Sequence, residues 1–272
     1  MPVKPPDKGL LLSSRVDFTI PSPFAREHLY YLIQYGCYQC VPGYEVKRDF
    51  LHVRVQHPED WVISSAVDGK VDTSAWRFQP EKVGSSLCTN DLGTHAEQMV
   101  AQFTGLHVKR VPAMLDTYPR DLPLDTNVNV LMDFGGGGVT GTLWASQIAI
   151  GHECDSGIHV IGTEGSLEWT ATDCDHLIYT PRSQPSQRLS AGADYLLDAK
   201  TRLSRVAAGQ SKGFIEAFSN IYRSFCNVLS DRKAGRENTT DTFPTVKDGV
   251  LGVRFVEACV RSHTAGGVWM DV

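Results

Sequence analysis

The sequence holds no long hydrophobic run. Leu10-Leu11-Leu12 is all the apolar stretch that its start offers. A bilayer-spanning helix needs about 20 apolar residues and a secretion signal a longer apolar region, so neither is expected. Positive charge is not in excess either: 26 Lys and Arg stand against 31 Asp and Glu, for a net charge of −5 and a pI near 6.0. That balance argues against nucleic acid or an anionic membrane as a partner. The seven cysteines are odd in number and form no framework, which reads as reduced thiols and a cytoplasmic location. Cys37 and Cys40 make a lone CxxC; without a second pair at zinc-ligand spacing it reads as structural, and no metal site is expected. Asn238-Thr239-Thr240 spells a glycosylation site with no secretory route to use it. Also missing is a glycine-rich G-x-G-x-x-G turn that follows a strand and opens a helix, so no dinucleotide site is expected.

What is present is enough apolar material, 42% of 272 residues, for a sizeable core. Ser22-Pro23 opens a helix that Leu29, Leu32 and Ile33 give an apolar stripe and Gly36 ends. From Phe50 to His57 the pattern alternates, with Leu51, Val53 and Val55 on one face of a half-buried strand. Strand patterns recur over 108–115, 127–134, 139–148, 157–161, 166–169 and 177–180, punctuated by turn residues. Gly135-Gly136-Gly137-Gly138 joins two of them and reads as a hairpin turn, not a phosphate cradle. Residues 181–211 show no periodicity. A helix over 214–230 carries Phe214, Phe218, Ile221, Phe225, Val228 and Leu229 on one stripe. Thr245 caps a last helix whose Val246, Val250, Val253, Val256 and Val260 are expected to face inward, and residues 268–272 finish as an edge strand. The fold class is α+β: a large, mostly antiparallel, open-faced sheet with helices on one face. With one face uncovered, Val130 or Leu143 would meet water unless another sheet covered them.

One stretch concentrates chemistry. In Cys88-Thr89-Asn90-Asp91-Leu92-Gly93-Thr94-His95, Asp91 and His95 stand four residues apart, one turn along a helix that Asn90 or Thr89 could cap. Met99 and Phe103 continue an apolar face behind them. A carboxylate beside an imidazole fixes its tautomer and favours its charged form, which suits proton transfer. Such pairs also occur on helices with no function beyond packing. Trp61, Trp76 and Arg77 are loop residues that could stack on and hydrogen-bond a polyhydroxylated ligand, or simply plug a long connection.

Several blocks in order resemble the C-terminal half of the glucose–fructose oxidoreductase/inositol dehydrogenase (Gfo/Idh/MocA) family: Ala75-Trp76-Arg77, Asp91-Leu92-Gly93-Thr94-His95, Trp144-Ala145-Ser146-Gln147, Gly162 through Trp169, Phe243 through Gly249, and Arg254-Phe255-Val256-Glu257-Ala258. The resemblance implies a division into residues 1–49, an extension and linker helix in place of the nucleotide-binding half, and residues 50–272, a substrate-binding and dimerisation domain. It implies a homodimer through the open sheet face, a small-molecule substrate, and roles for Asp91 and His95 in moving a hydroxyl proton while hydride passes to a nicotinamide. The family's catalytic lysine has one weak counterpart, Lys4 in Val3-Lys4-Pro5, without the usual Glu. No cofactor is expected to bind this chain alone; NAD or NADP would enter only with a separate nucleotide-binding segment. Three readings follow: an oxidoreductase acting on a sugar, polyol or other hydroxyl- or carbonyl-bearing molecule; a cofactor-independent dehydratase, isomerase or cyclase reusing the cleft; or a non-catalytic binding or scaffold protein.

Overall fold

The computed structural model describes residues 51–65, 70–193, 208–238 and 243–272, with the separate positions 18–19, 45–46, 206 and 241. The early helix at Ser22, the Cys37/Cys40 pair and Lys4 lie outside the described residues.

Two short strands, β1 (Phe18–Thr19) and β2 (Glu45–Val46), pair antiparallel by themselves. The main sheet has ten strands. In chain order they are β3 (Leu51–Pro58), β4 (Arg110–Val111), β5 (Ala113–Asp116), β6 (Asn127–Asp133), β7 (Val139–Ser146), β8 (Gly157–Gly162), β9 (Gly165–Thr170), β10 (His176–Pro181), β11 (Gln187–Ser190) and β12 (Met270–Asp271). Across the sheet they run β11-β10-β9-β8-β3-β7-β6-β4-β12, with β5 also on β6. Only β3 and β7 run parallel; every other pair is antiparallel. The fold is α+β, as the turn-punctuated strand pattern implies.

Alternation decides which face is covered. Leu51, Val53 and Val55 of β3 join Val128, Val130 and Met132 of β6 and Val139, Leu143 and Ala145 of β7 in one buried cluster. The helices over that face are α3 (Thr94–Thr104), entered through a π-helical turn at Thr89–Gly93, and α5 (Val246–Thr264). Leu92, Ala96, Val100 and Phe103 from the first and Phe255, Ala258 and Cys259 from the second complete the core. Val130 and Leu143 therefore lie under the helices, contrary to the expectation that they face water. The outward residues are their neighbours one step along, and Leu131 is 52% exposed. Gly141 of β7 sits opposite Val53, where a Cβ would come within 2.9 Å of the Val53 carbonyl oxygen and 2.7 Å of the Met132 methyl. Gly135 to Gly138 all take positive φ between β6 and β7 and form the hairpin turn that the sequence suggests.

Two helix assignments need correction. In α5, Val246, Val250 and Val253 are exposed, while the inward face is Gly252, Phe255, Val256, Ala258, Cys259 and Ser262. Small residues allow the close approach that the valine spacing does not. Ser262 ties this helix down: its hydroxyl accepts from Ala113 N at 2.9 Å and donates to Val268 O at 2.6 Å. In α4 (Phe214–Lys233), Phe214, Ile215, Phe218, Phe225 and Leu229 are exposed, so described residues leave that stripe uncovered. Strand 108–115 is split at Pro112, which cannot donate to the ladder, into β4 and β5. Strand β11, short and polar, lies where the sequence shows no period.

The remaining elements frame one end of the sheet. α1 (Trp61–Ser64) and α2 (Pro80–Val83) are single turns around a second, smaller cluster of Val62, Phe78, Leu87, Leu122 and Leu124. None of the described helices is long and apolar enough to cross a membrane.

Candidate functional site

The parallel pair sets up the site. Because β3 and β7 run the same way, both end at the same edge, with His57 opposite Ala145 and Pro58 opposite Ser146. The chain beyond each is locked: Glu59 N donates to Ser146 O at 2.7 Å, Val62 N to Gln147 O at 3.1 Å and Ala149 N to Glu59 O at 2.9 Å. Onto this edge comes the start of α3. Its first turn is not capped by Thr89 or Asn90. Asp125, from the approach to β6, does that from a distance: its carboxylate accepts from Leu87 N at 2.8 Å, Thr89 N at 3.0 Å and the Thr89 hydroxyl at 2.8 Å. The turn that follows is π-helical and holds Asp91, a widening of the kind common at functional sites.

No hydrogen bond or ion pair joins Asp91 and His95 among the described residues. The Asp91 carboxylate accepts from Gln147 Nε2 at 3.0 Å, and Gln147 is fully buried. The His95 ring instead faces His57, with centroids 5.6 Å apart and planes tilted by 48°. Glu59 completes the polar group. Burial, then the nearby charges of Asp91 and Asp60, push its carboxyl up to about 7, against the pull of Arg77. Burial and the neighbouring His95 push His57 down to about 4, although Asp155 acts the other way. Both effects disfavour a positive charge on His57.

Arg77 and the tryptophans lie beside this group. The guanidinium stacks on Trp76, 4.6 Å from its ring centre, and stands 6.0 Å from that of Trp61. Trp61 is half-buried against Phe78 in the smaller cluster, whereas Trp76 is 52% exposed. One tryptophan therefore plugs the connection, and the other is available to a ligand.

His57, Glu59 and Cys154 carry no signal of their own in the sequence, and Gln147 stands there only as the end of the Trp144-Ala145-Ser146-Gln147 block. His57 ends an alternating strand and Gln147 ends another; only the parallel pairing of those strands reveals that they meet. Cys154, in the loop before β8, brings its Sγ to 3.6 Å from His57 Nε2. A ligand atom from each of His57, Glu59 and Cys154 lies within 4.8 Å of the others, a set able to hold a metal ion. A separate groove of about 650 Å³ lies on the open face of the sheet, lined by Arg54, Trp144, His159 and Glu168 among others and by neither Asp91 nor His95.

The sheet is open on one face, with a polar cluster at the joint end of its parallel pair. Residues 49–168 match the GFO/IDH/MocA C-terminal domain, which the chain resembles over that stretch. Among particular relatives, the oxidoreductase YfiI of Bacillus subtilis (strain 168), itself uncharacterised, is 32% identical over 201 residues, 72% of this chain and 51% of its own length. An oxidoreductase from Sinorhizobium meliloti superposes with a TM-score of 0.70 at 30% identity, over 90% of this chain and 63% of that one. An inositol dehydrogenase homologue from Azotobacter vinelandii, in complex with NAD+, reaches 0.76 at 28% identity, over 92% of this chain and 64% of that one. The chain thus spans about half the length of the curated relative and under two thirds of these structures.

Proposed function

We propose that this chain forms the substrate-binding and proton-handling part of an oxidoreductase acting on a polyol or sugar-like molecule. The observation that carries the reading is the convergence of Asp91, His95, His57, Glu59 and Gln147 at the joint end of β3 and β7, beside Arg77. The Azotobacter vinelandii homologue, whose complexes include one with NADH and myo-inositol, supports it at 27% identity. Oxidising an alcohol requires a base for the hydroxyl proton. His95 takes that proton, and Asp91, oriented by Gln147, stabilises the imidazolium that results. Arg77 donates hydrogen bonds to substrate hydroxyl oxygens, and Trp76 covers the apolar face of the ring. A nicotinamide, when bound, supplies the hydride acceptor. The described residues present no glycine-rich turn between strand and helix to hold its pyrophosphate, so its site is not assigned to them.

Ligand-observed NMR with myo-inositol and a panel of hexoses is expected to show binding that Arg77→Ala weakens roughly tenfold or more and that Glu257→Gln, on the exposed side of α5, leaves unchanged. Where turnover is followed, His95→Asn should lower it by roughly 10²–10⁴-fold and Asp91→Asn by less. No binding of any polyol, or full turnover by His95→Asn, would overturn the reading.

A further inference from the structure

The group His57, Glu59 and Cys154 has a geometry that the proton-handling role does not use. His57 and Glu59 alternate at the end of β3, and the loop before β8 folds back so that Cys154 meets them. That loop is pinned: Asp155 N donates to Pro58 O at 3.0 Å, and Gln56 Nε2 donates to an Asp155 carboxylate oxygen at 3.1 Å. Cys154 itself adopts φ of 55°, a left-handed conformation unfavourable for a residue with a side chain. Its thiol points at an imidazole that is only 8% exposed and whose other nitrogen, Nδ1, has no partner among the described residues. A buried, under-bonded imidazole beside a thiol and a carboxyl is an expensive arrangement for packing alone.

The spacing fits a metal. Zinc–nitrogen bonds of about 2.0–2.1 Å and zinc–sulfur bonds of about 2.3 Å at a tetrahedral angle place N and S roughly 3.5 Å apart. The observed Nε2 to Sγ separation is 3.6 Å. A carboxylate oxygen of Glu59 within 4.8 Å needs only a small closure to become the third ligand. A mixed thiolate, imidazole and carboxylate set favours zinc(II) over magnesium or calcium, which prefer all-oxygen cages. Three protein ligands leave a fourth position for water or a ligand oxygen.

We propose that His57, Glu59 and Cys154 bind one divalent transition-metal ion of zinc(II) chemistry at the lip of the cleft. The inference shares His57 and Glu59 with the oxidoreductase reading, but its test measures metal binding, not turnover. Chelator-treated protein would be titrated with zinc against a chromophoric chelator, and with cobalt(II) by absorption. One equivalent of zinc at sub-micromolar affinity is expected, with a thiolate-to-cobalt charge-transfer band. Cys154→Ser, in an exposed loop and therefore folded, should abolish the band and weaken zinc at least roughly 10–100-fold; Glu59→Gln should weaken zinc and keep the band. Cys226→Ser, on the exposed side of α4, should change neither. No stoichiometric binding at micromolar zinc would overturn the proposal. So would binding that survives Cys154→Ser, whether or not Cys37→Ser then removes it.

Discussion

Glu97, on α3 two residues beyond His95, is 5% exposed, and its carboxyl is pushed up to about 7 by burial and by the nearby Asp248. Since the folded value lies above the ordinary 4.5, the folded state holds its proton more tightly than the unfolded state. Glu97 thus costs the fold nothing at acid pH. Its penalty grows as pH rises from about 4.5 to about 7 and is constant above, on the order of 3 kcal/mol. Glu97→Gln removes the titration, so urea midpoints of variant and wild type should diverge with rising pH, with the variant more stable at pH 8. A constant difference between them from pH 5 to pH 8 would count against this account. At this scale the sequence is informative about pairs within one element and silent about pairs between elements. Asp91 and His95 are legible because helical spacing alone suggests one face for them. Gln147 as the partner of Asp91, and His57 as the neighbour of His95, depend on a strand pairing that no local pattern encodes. Asp125 as the cap of the α3 entry is hidden for the same reason: 36 residues separate it from Thr89.

Among elements, strands with one buried face are the most legible. Leu51, Val53 and Val55 alternate in the sequence as they do in β3, and the four-glycine run is a turn because it sits between two such patterns. The last helix misleads because its buried face is built largely from Gly252, Ala258, Cys259 and Ser262, whose packing leaves little apolar signal, while Val246, Val250 and Val253 mark the exposed side. The same economy of space appears in β7. Gly141→Ala has its new methyl against the Val53 carbonyl, in the strand at the centre of the sheet, and that backbone can move only by disturbing the β3–β7 ladder. A loss of about 1–3 kcal/mol is expected in chemical denaturation, with the helical signal retained. A variant as stable as the parent would show that the central ladder yields more readily than a packed core does.

For the whole molecule, the sheet face that the described residues leave uncovered is the surface most in need of a partner. Met114 (61% exposed) and Leu131 stand among Arg54, Thr142, Trp144, His159 and Glu168, a mixture of apolar and paired-sign residues suited to a self-complementary contact. We expect a homodimer through this face. Light scattering at micromolar concentration should give twice 30.0 kDa, and Leu131→Arg should shift it to the monomer without unfolding it. A monomer from the parent protein, or a dimer indifferent to Leu131→Arg, would place the contact elsewhere or remove it.

The parallel pairing of β3 with β7 also bears on how the molecule comes into being. Hairpins such as β6–β7 and β8–β9 close over a few residues, whereas His52 and Thr140, hydrogen-bonded across the central pair, are 88 positions apart. Closing so long a loop is entropically unfavourable until much of the sheet exists to receive it. The edge where β3 and β7 end together therefore forms late in folding, and the polar cluster with it. During synthesis a ribosome must release Gln147 before Asp91 meets its partner, so this cluster takes shape only after β7 has emerged.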